Sequence, residues 1–154
     1  MTERFHQQTD ILDPKLLEDA IFLVVGAGAI GSFFVTTLAK MGAKKIHIWD
    51  DDKIEDHNIA NQLFPEYMVG QTKVQSLAEM AEMFSGEKIT VYPTRFDLTK
   101  KNTLTPNVYL ISAVDNMDVR KELFTWAKVN NIKYFIDGRM GGLVLRCYSI
   151  DMTN

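Results

Sequence analysis

The sequence predicts an α/β domain, doubly wound around a mostly parallel sheet, and three features predict it. Short β-branched runs alternate with segments of helical period. The first run ends directly in a glycine-rich turn that opens a helix. After the last helical segment the chain closes on a stretch with strand-like alternation. Strands alternating with helices build βαβ units, whose crossovers place helices over the sheet. At 154 residues the chain suits a single domain, 1–154, and is long enough to bury a core.

The first strand is Ile21-Phe22-Leu23-Val24-Val25, continuous and apolar, as burial on both faces requires. From Ala29 to Met41 apolar residues recur at helical spacing, and Gly42 stands where a helix stop belongs. Lys45-Ile46-His47-Ile48-Trp49 reads as a second strand ending on Asp50-Asp51-Asp52. Lys53 to Gly70 is polar, irregular and broken by Pro65. Gln71 to Phe84 returns to helical spacing, with Gly86 after it, and Ile89-Thr90-Val91-Tyr92 is a third strand. Val108 to Ala113 is a fourth, leading into a helix through Val119, Leu123, Trp126 and Ala127. Tyr134 to Asp137 makes a fifth, Gly138 to Gly142 a glycine-rich turn, and Leu143 to Tyr148 a final edge strand.

Composition narrows the function. Hydrophobic residues at 46% and charged residues at 24% are ordinary for a soluble globular protein. A formal net charge of -3 supplies no basic field for nucleic acid or an acidic membrane surface, so neither is expected as a partner. The single cysteine, Cys147, cannot form an internal disulfide or a multi-cysteine zinc site. Met1 to His6 lacks the apolar stretch of a secretory signal, and a cytoplasmic location is expected.

The first turn, Gly26-Ala27-Gly28-Ala29-Ile30-Gly31, has the G-x-G-x-x-G spacing between strand and helix, which makes the sheet Rossmann-like. Gly26 permits the tight turn, Gly28 lets backbone approach phosphate, and Gly31 lets the helix pack closely on its strand. The free N–H groups at the helix start, Ala29 among them, then face an anion. Asp50 ends the second strand about 20 residues later, where a carboxylate can hold ribose hydroxyls. These features fit a nicotinamide-dependent oxidoreductase as well as an ATP-dependent enzyme.

The residues beyond the second strand separate the two. Asp50 and Asp52 lead to Asn58 and Gln62, then to Gly70-Gln71-Thr72-Lys73. Later Asp115-Asn116 lies beyond the fourth strand, with Arg120 one turn further on. All of these stand at or beyond the carboxyl ends of parallel strands, where open sheets bind ligands. Lysine and asparagine donors steady phosphates, and Asp115 is placed to hold a magnesium ion bridging them.

In this order the motifs resemble those of the ThiF/MoeB and ubiquitin-activating family, from Arg4 to about Tyr148. The resemblance implies ATP-dependent adenylation of the C-terminal carboxylate of a ubiquitin-like or sulfur-carrier protein or a peptide. It implies Asp50 on the ATP ribose, Asn58 and Lys73 on phosphates, and Asp115 on Mg2+. Gly26, Gly28, Ala29, Gly31, Asp52 and Asn116 complete the nucleotide site, and Lys73 and Asp115 are the expected catalytic pair. It further implies a homodimer or a heterodimer with a related chain, and a longer polypeptide, so that this chain is expected to be truncated relative to the family.

Two positions depart from the pattern: Gln7 and Asn61 stand where the family carries arginines. Arg4, Lys53 and Arg139 are the candidate cations to compensate. The departures keep a second reading open, a catalytically weak partner subunit. An NAD-dependent oxidoreductase is a third, resting on the glycine loop and Asp50. Elsewhere, Cys147 alternates with Leu143 and Leu145 and is expected to be a buried strand residue. Trp126 is expected in the core, and His57, Asp51, Glu55 and Asp56 in a solvated loop. Neither His6 nor His47 has a metal-ligand partner at useful spacing.

Overall fold

The computed structural model describes residues 3–104 and 107–153. Six strands form one sheet in the order β3-β2-β1-β4-β5-β6. They are β1 (Ile21–Val25), β2 (Lys45–Trp49), β3 (Thr90–Tyr92), β4 (Val108–Ser112), β5 (Tyr134–Gly141) and β6 (Val144–Asp151). The first five run parallel, and β6 pairs antiparallel to β5. Helices α1 (Pro14–Asp19), α2 (Ala29–Met41), α3 (Lys73–Ser85) and α4 (Met117–Val129) complete the order.

β1 shows why its sequence is apolar throughout. Phe22 and Val24 join one core cluster with α2 and α3, whereas Ile21, Leu23 and Val25 join a second with α4. Period-two alternation sends successive side chains to opposite faces, and helices cover both. Trp126 is buried in the second cluster, as expected. Two helix ends show their physical cause. Gly42, at φ +101°, ends α2 in the left-handed conformation. Asn116 caps α4 through its side chain.

The irregular stretch after β2 is pinned rather than loose. Ile54, Phe64 and Met68 are buried in the first core. Two 3-10 turns, Asp56–Asn58 and Glu66–Met68, shape it, and Lys53 bridges Thr72 so that the stretch closes on itself. This closure sets α3 to begin at Lys73 rather than at Gln71.

Two expectations need correction at the far edge. The glycine-rich stretch from Gly138 is not a turn: β5 continues through Gly141, held by pairs such as Gly138 with Cys147 and Met140 with Leu145. The reversal falls at Gly142 and Leu143. Cys147 is exposed, not buried, because every residue of β6 is exposed on the outermost strand. Among the described residues, no helix is long and apolar enough to cross a membrane.

Candidate functional site

The carboxyl ends of β1, β2, β4 and β5 converge on a cavity of about 820 Å³. It lies where β1 has β2 on one side and β4 on the other, the point at which strand order reverses. Loops leaving adjacent strands diverge there toward opposite faces, which leaves a crevice.

The glycine loop forms its floor. A Cβ on Gly31 would lie 1.9 Å from the Gly26 carbonyl oxygen, so only glycine lets α2 sit this close to β1. A Cβ on Gly28 would meet nothing within 4 Å, and Gly28, Ala29 and Ile30 line the cavity. No side chain caps the start of α2. The N–H groups of its first turn are therefore available to an anion, with the helix dipole behind them.

Asp50 closes the loop from the side. One carboxylate oxygen accepts the Ala27 N–H at 2.6 Å, and the other accepts the Asp52 N–H at 2.8 Å. Asp52 is ion-paired with the Lys73 ammonium at 2.8 Å, and the Lys73 side chain is only 8% exposed. Asp51 pairs with Arg95 at 3.0 Å. The carboxylates of Asp50, Asp51 and Asp52 thus gather within 4.8 Å of one another, each already engaged by a donor.

The opposite wall comes from β4, α4 and β5. Asp115 is exposed on it. The Asn116 side-chain carbonyl oxygen accepts from the N–H groups of Asp118 and Val119, at 2.8 and 3.1 Å. That leaves its amide donors for a ligand. Arg120 is buried, ion-paired with Asp137, and donates to the Gly138 carbonyl at 2.7 Å. Arg139 donates to the second oxygen of Asp137 at 2.6 Å.

Gly26, Gly28, Ala29, Asp50, Asp52, Lys73, Asp115 and Asn116 therefore meet around one cavity, with Gly31 beneath it. Asn58 does not reach its wall. It is buried, and its side-chain oxygen accepts the Glu55 N–H at 2.9 Å within a 3-10 turn. The same loop instead contributes Asn61 and Gln62, and the buried Gln62 side-chain oxygen has no hydrogen-bond partner among the described residues. Of the candidate compensating cations, Arg4 donates to the Ser85 carbonyl, at the end of α3 remote from Lys73. Lys53 lines a separate depression with Thr72 and Glu79. Only Arg139 of the three is on the wall.

Sequence reasoning missed Trp49, Arg95, Phe96 and Leu98, which also line the cavity. Phe96 packs edge-on against both Trp49 and Trp126, with centroids 5.0 and 4.9 Å apart. These aromatic contacts hold the segment after β3 over the site. Its residues keep no helical or strand period, so no local signal marks them.

A family model described as the ThiF family matches residues 8–148. Ubiquitin-activating enzyme E1 2 of Arabidopsis thaliana is 33% identical over 118 residues, 69% of this chain and 11% of that protein. Adenylyltransferase and sulfurtransferase MOCS3 of Anopheles gambiae is 34% identical over 108 residues, 68% of this chain and 24% of that protein. The chain thus spans less than a quarter of the length of either relative. Two solved structures share the fold. E. coli tRNA N6-threonylcarbamoyladenosine dehydratase, TcdA, aligns at a TM-score of 0.81 and 24% identity, covering 92% of this chain and 62% of that one. E. coli MccB with ATP aligns at 0.79 and 18% identity, covering 90% and 46%. The sheet order, the glycine loop and the match over nearly the whole chain lead to one assignment: the chain belongs to the ThiF family.

Proposed function

We propose that this domain binds ATP with magnesium at the β1–β4 crevice and serves the adenylation of a carboxylate. The reading rests on one observation above all. The uncapped start of α2, Asp50 and Lys73 border a single cavity of about 820 Å³, large enough for a nucleotide.

Asp50 takes the ribose hydroxyls. Its oxygens already accept two backbone N–H groups, and each retains a lone pair. The first-turn N–H groups of α2 take phosphate oxygens, in the space that Gly28 leaves open. The Lys73 ammonium adds positive charge, fixed in place by Asp52. The Asn116 amide donates beside it. The donor set also fits magnesium, a hard cation that takes oxygen ligands. Asp115, exposed on the wall and in no ion pair among the described residues, is the carboxylate proposed to hold the ion. Magnesium there would neutralise phosphate charge. ATP supplies the α-phosphorus: a substrate carboxylate oxygen bonds to it as the bond to the β-phosphate breaks and pyrophosphate leaves. The protein's share is orientation and charge stabilisation.

The carboxylate belongs to the tail of a ubiquitin-like or sulfur-carrier protein, or to a peptide, and pairing with a second chain of related fold is part of the same reading. Exposed Met140, Leu143 and Leu145 at the β5–β6 hairpin support such pairing. Calorimetry with Mg-ATP and with NAD tests the site. ATP is expected to bind and NAD not, and the reverse result would return the oxidoreductase reading. In pyrophosphate exchange with a tail peptide, Lys73→Ala and Asp115→Ala are expected to lose turnover while keeping their melting temperatures.

A further inference from the structure

The cavity wall carries four cations among the described residues, and three carboxylates pair with them. Lys73 pairs with Asp52, Arg95 with Asp51, and Arg120 with Asp137. Arg139 is different, because its only counter-charge is the same Asp137. Asp137 and Arg120 are sealed together, with side chains 4% and 7% exposed, so that one negative charge serves two guanidinium groups. Asp115 and Glu122, the wall carboxylates nearest in sequence, form no ion pair with Arg139.

The neighbouring strand increases the imbalance. Arg139 lies directly opposite Arg146 in the antiparallel register of β5 and β6. Like charges in that position repel, which disfavours the pairing unless an anion sits between or beside them. The Arg139 side chain is nevertheless held in place. Its Nε donates to Asp137 at 2.6 Å, and its guanidinium carbon lies 5.0 Å from the Tyr148 ring centroid. Both Nη groups are left without a partner among the described residues. They form the planar, two-pronged donor that suits paired anionic oxygens.

Position specifies which anion. Gly138, the preceding residue, is pressed against the first turn of α2: a Cβ on it would lie 2.8 Å from Ile30 Cγ2. The backbone of β5 therefore lies against the helix start, and period-two alternation turns the Arg139 side chain to the α4 face, where it lines the same cavity as Gly28 and Ala29. We propose that Arg139 is a phosphate clamp, its Nη groups gripping the phosphate chain of the nucleotide from the side opposite Lys73. The proposal rests on the nucleotide reading above and adds a binding residue to it.

Calorimetry on the whole chain tests the clamp, using Mg-ATP, inorganic tripolyphosphate and adenosine against wild type, Arg139→Gln and Arg139→Lys. Arg139→Gln is expected to weaken ATP and tripolyphosphate at least tenfold and to leave adenosine unchanged. Arg139→Lys should recover only part of the loss, since an ammonium cannot make the paired contact. It also carries the test should the glutamine variant fail to fold. Wild-type affinity of both variants for ATP and tripolyphosphate would overturn the clamp while leaving the nucleotide reading intact. Arg139-dependent binding of tripolyphosphate without binding of ATP would do the opposite. Binding of neither would overturn both.

Discussion

The Asp50 carboxylate accepts the Ala27 N–H at 2.6 Å, so the end of β2 is fastened to the glycine loop at the end of β1. Through its other oxygen Asp50 also orders the Asp52 N–H, and Asp52 in turn holds Lys73. One side chain thus couples the loop, the acidic strand end and the lysine. Asp50→Ala should weaken ATP binding at least tenfold, about 1.4 kcal/mol, and lower the melting temperature as well. Hydrogen bonds to a charged acceptor contribute roughly 1.5–3 kcal/mol each. Unchanged nucleotide affinity in a folded variant would remove Asp50 from the site.

Two glycines of the same loop should respond in opposite ways. Gly31→Ala places a methyl 1.9 Å from the Gly26 carbonyl oxygen, where only backbone displacement relieves it. It should destabilise the domain markedly in urea denaturation. Gly28→Ala meets nothing within 4 Å, and Gly28 has φ -76°, open to any residue. This variant should fold like wild type and lose nucleotide affinity, because its methyl enters the phosphate space. Equal stability of the two variants would contradict the packing account.

Arg120 and Asp137 join α4 to β5 as a buried ion pair. Removing one member leaves the other charged in a poorly solvated place, at a cost of about 3–5 kcal/mol. Arg120→Met is therefore expected to lower stability by that order in chemical denaturation. Arg139, retained on the same carboxylate, should hold the loss toward the lower end. A loss below about 1 kcal/mol, the range of exposed pairs, would show that the pair is solvated.

His47 supplies a pH dependence. It is half-buried on β2, beside the stacked rings of Trp49 and Tyr92, with its centroid 6.2 Å from each. Burial lowers its pKa below the ordinary 6.5. The unfolded chain therefore takes up this proton at a higher pH than the native one does. Between the two pKa values the unfolded state binds more protons, and stability rises with pH. The His47 contribution is present above pH 6.5 and is lost as pH falls toward the native value. Asp97 and Asp151 act only at lower pH, their carboxyls held below 3.8 chiefly by the hydroxyls of Thr99 and Thr153. Urea midpoints should fall from about pH 7.5 to about pH 5.5, and His47→Gln should flatten that segment of the curve. An identical slope in the variant would assign it to other groups.

The parts of the site legible in the sequence are those built by neighbours along the chain. β1, the glycine loop and the start of α2 are consecutive, and their spacing alone specifies the turn and the free N–H groups. Asp50 comes at the next strand end, and Lys73 and Asp115 stand at the boundaries of elements with clear periods. Asn58 has the residue type and spacing of a ligand donor, yet local capping geometry claims its side chain and burial removes it from the wall.

By itself the sequence determined the doubly wound sheet, its six strands, its three long helices and the glycine loop, since periodicity and glycine placement act over a few residues; the short helix α1 carried no such signal. Tertiary structure decided the rest, because long-range pairing sets which distant groups become neighbours. The antiparallel register of β5 and β6 turned a glycine-rich stretch into strand, set Arg139 opposite Arg146, and left Cys147 exposed at the edge. The packing of Gly138 on Ile30 set the β5 backbone against the start of α2, and the cavity brought Arg139 onto the same wall as Gly28. The contacts of Phe96 with Trp49 and Trp126 drew an aperiodic segment over the cavity. Whether a charge is matched or left over depends on such neighbours, and Arg120 and Arg139, 17 and 2 residues from the Asp137 they share, meet it only in the folded chain.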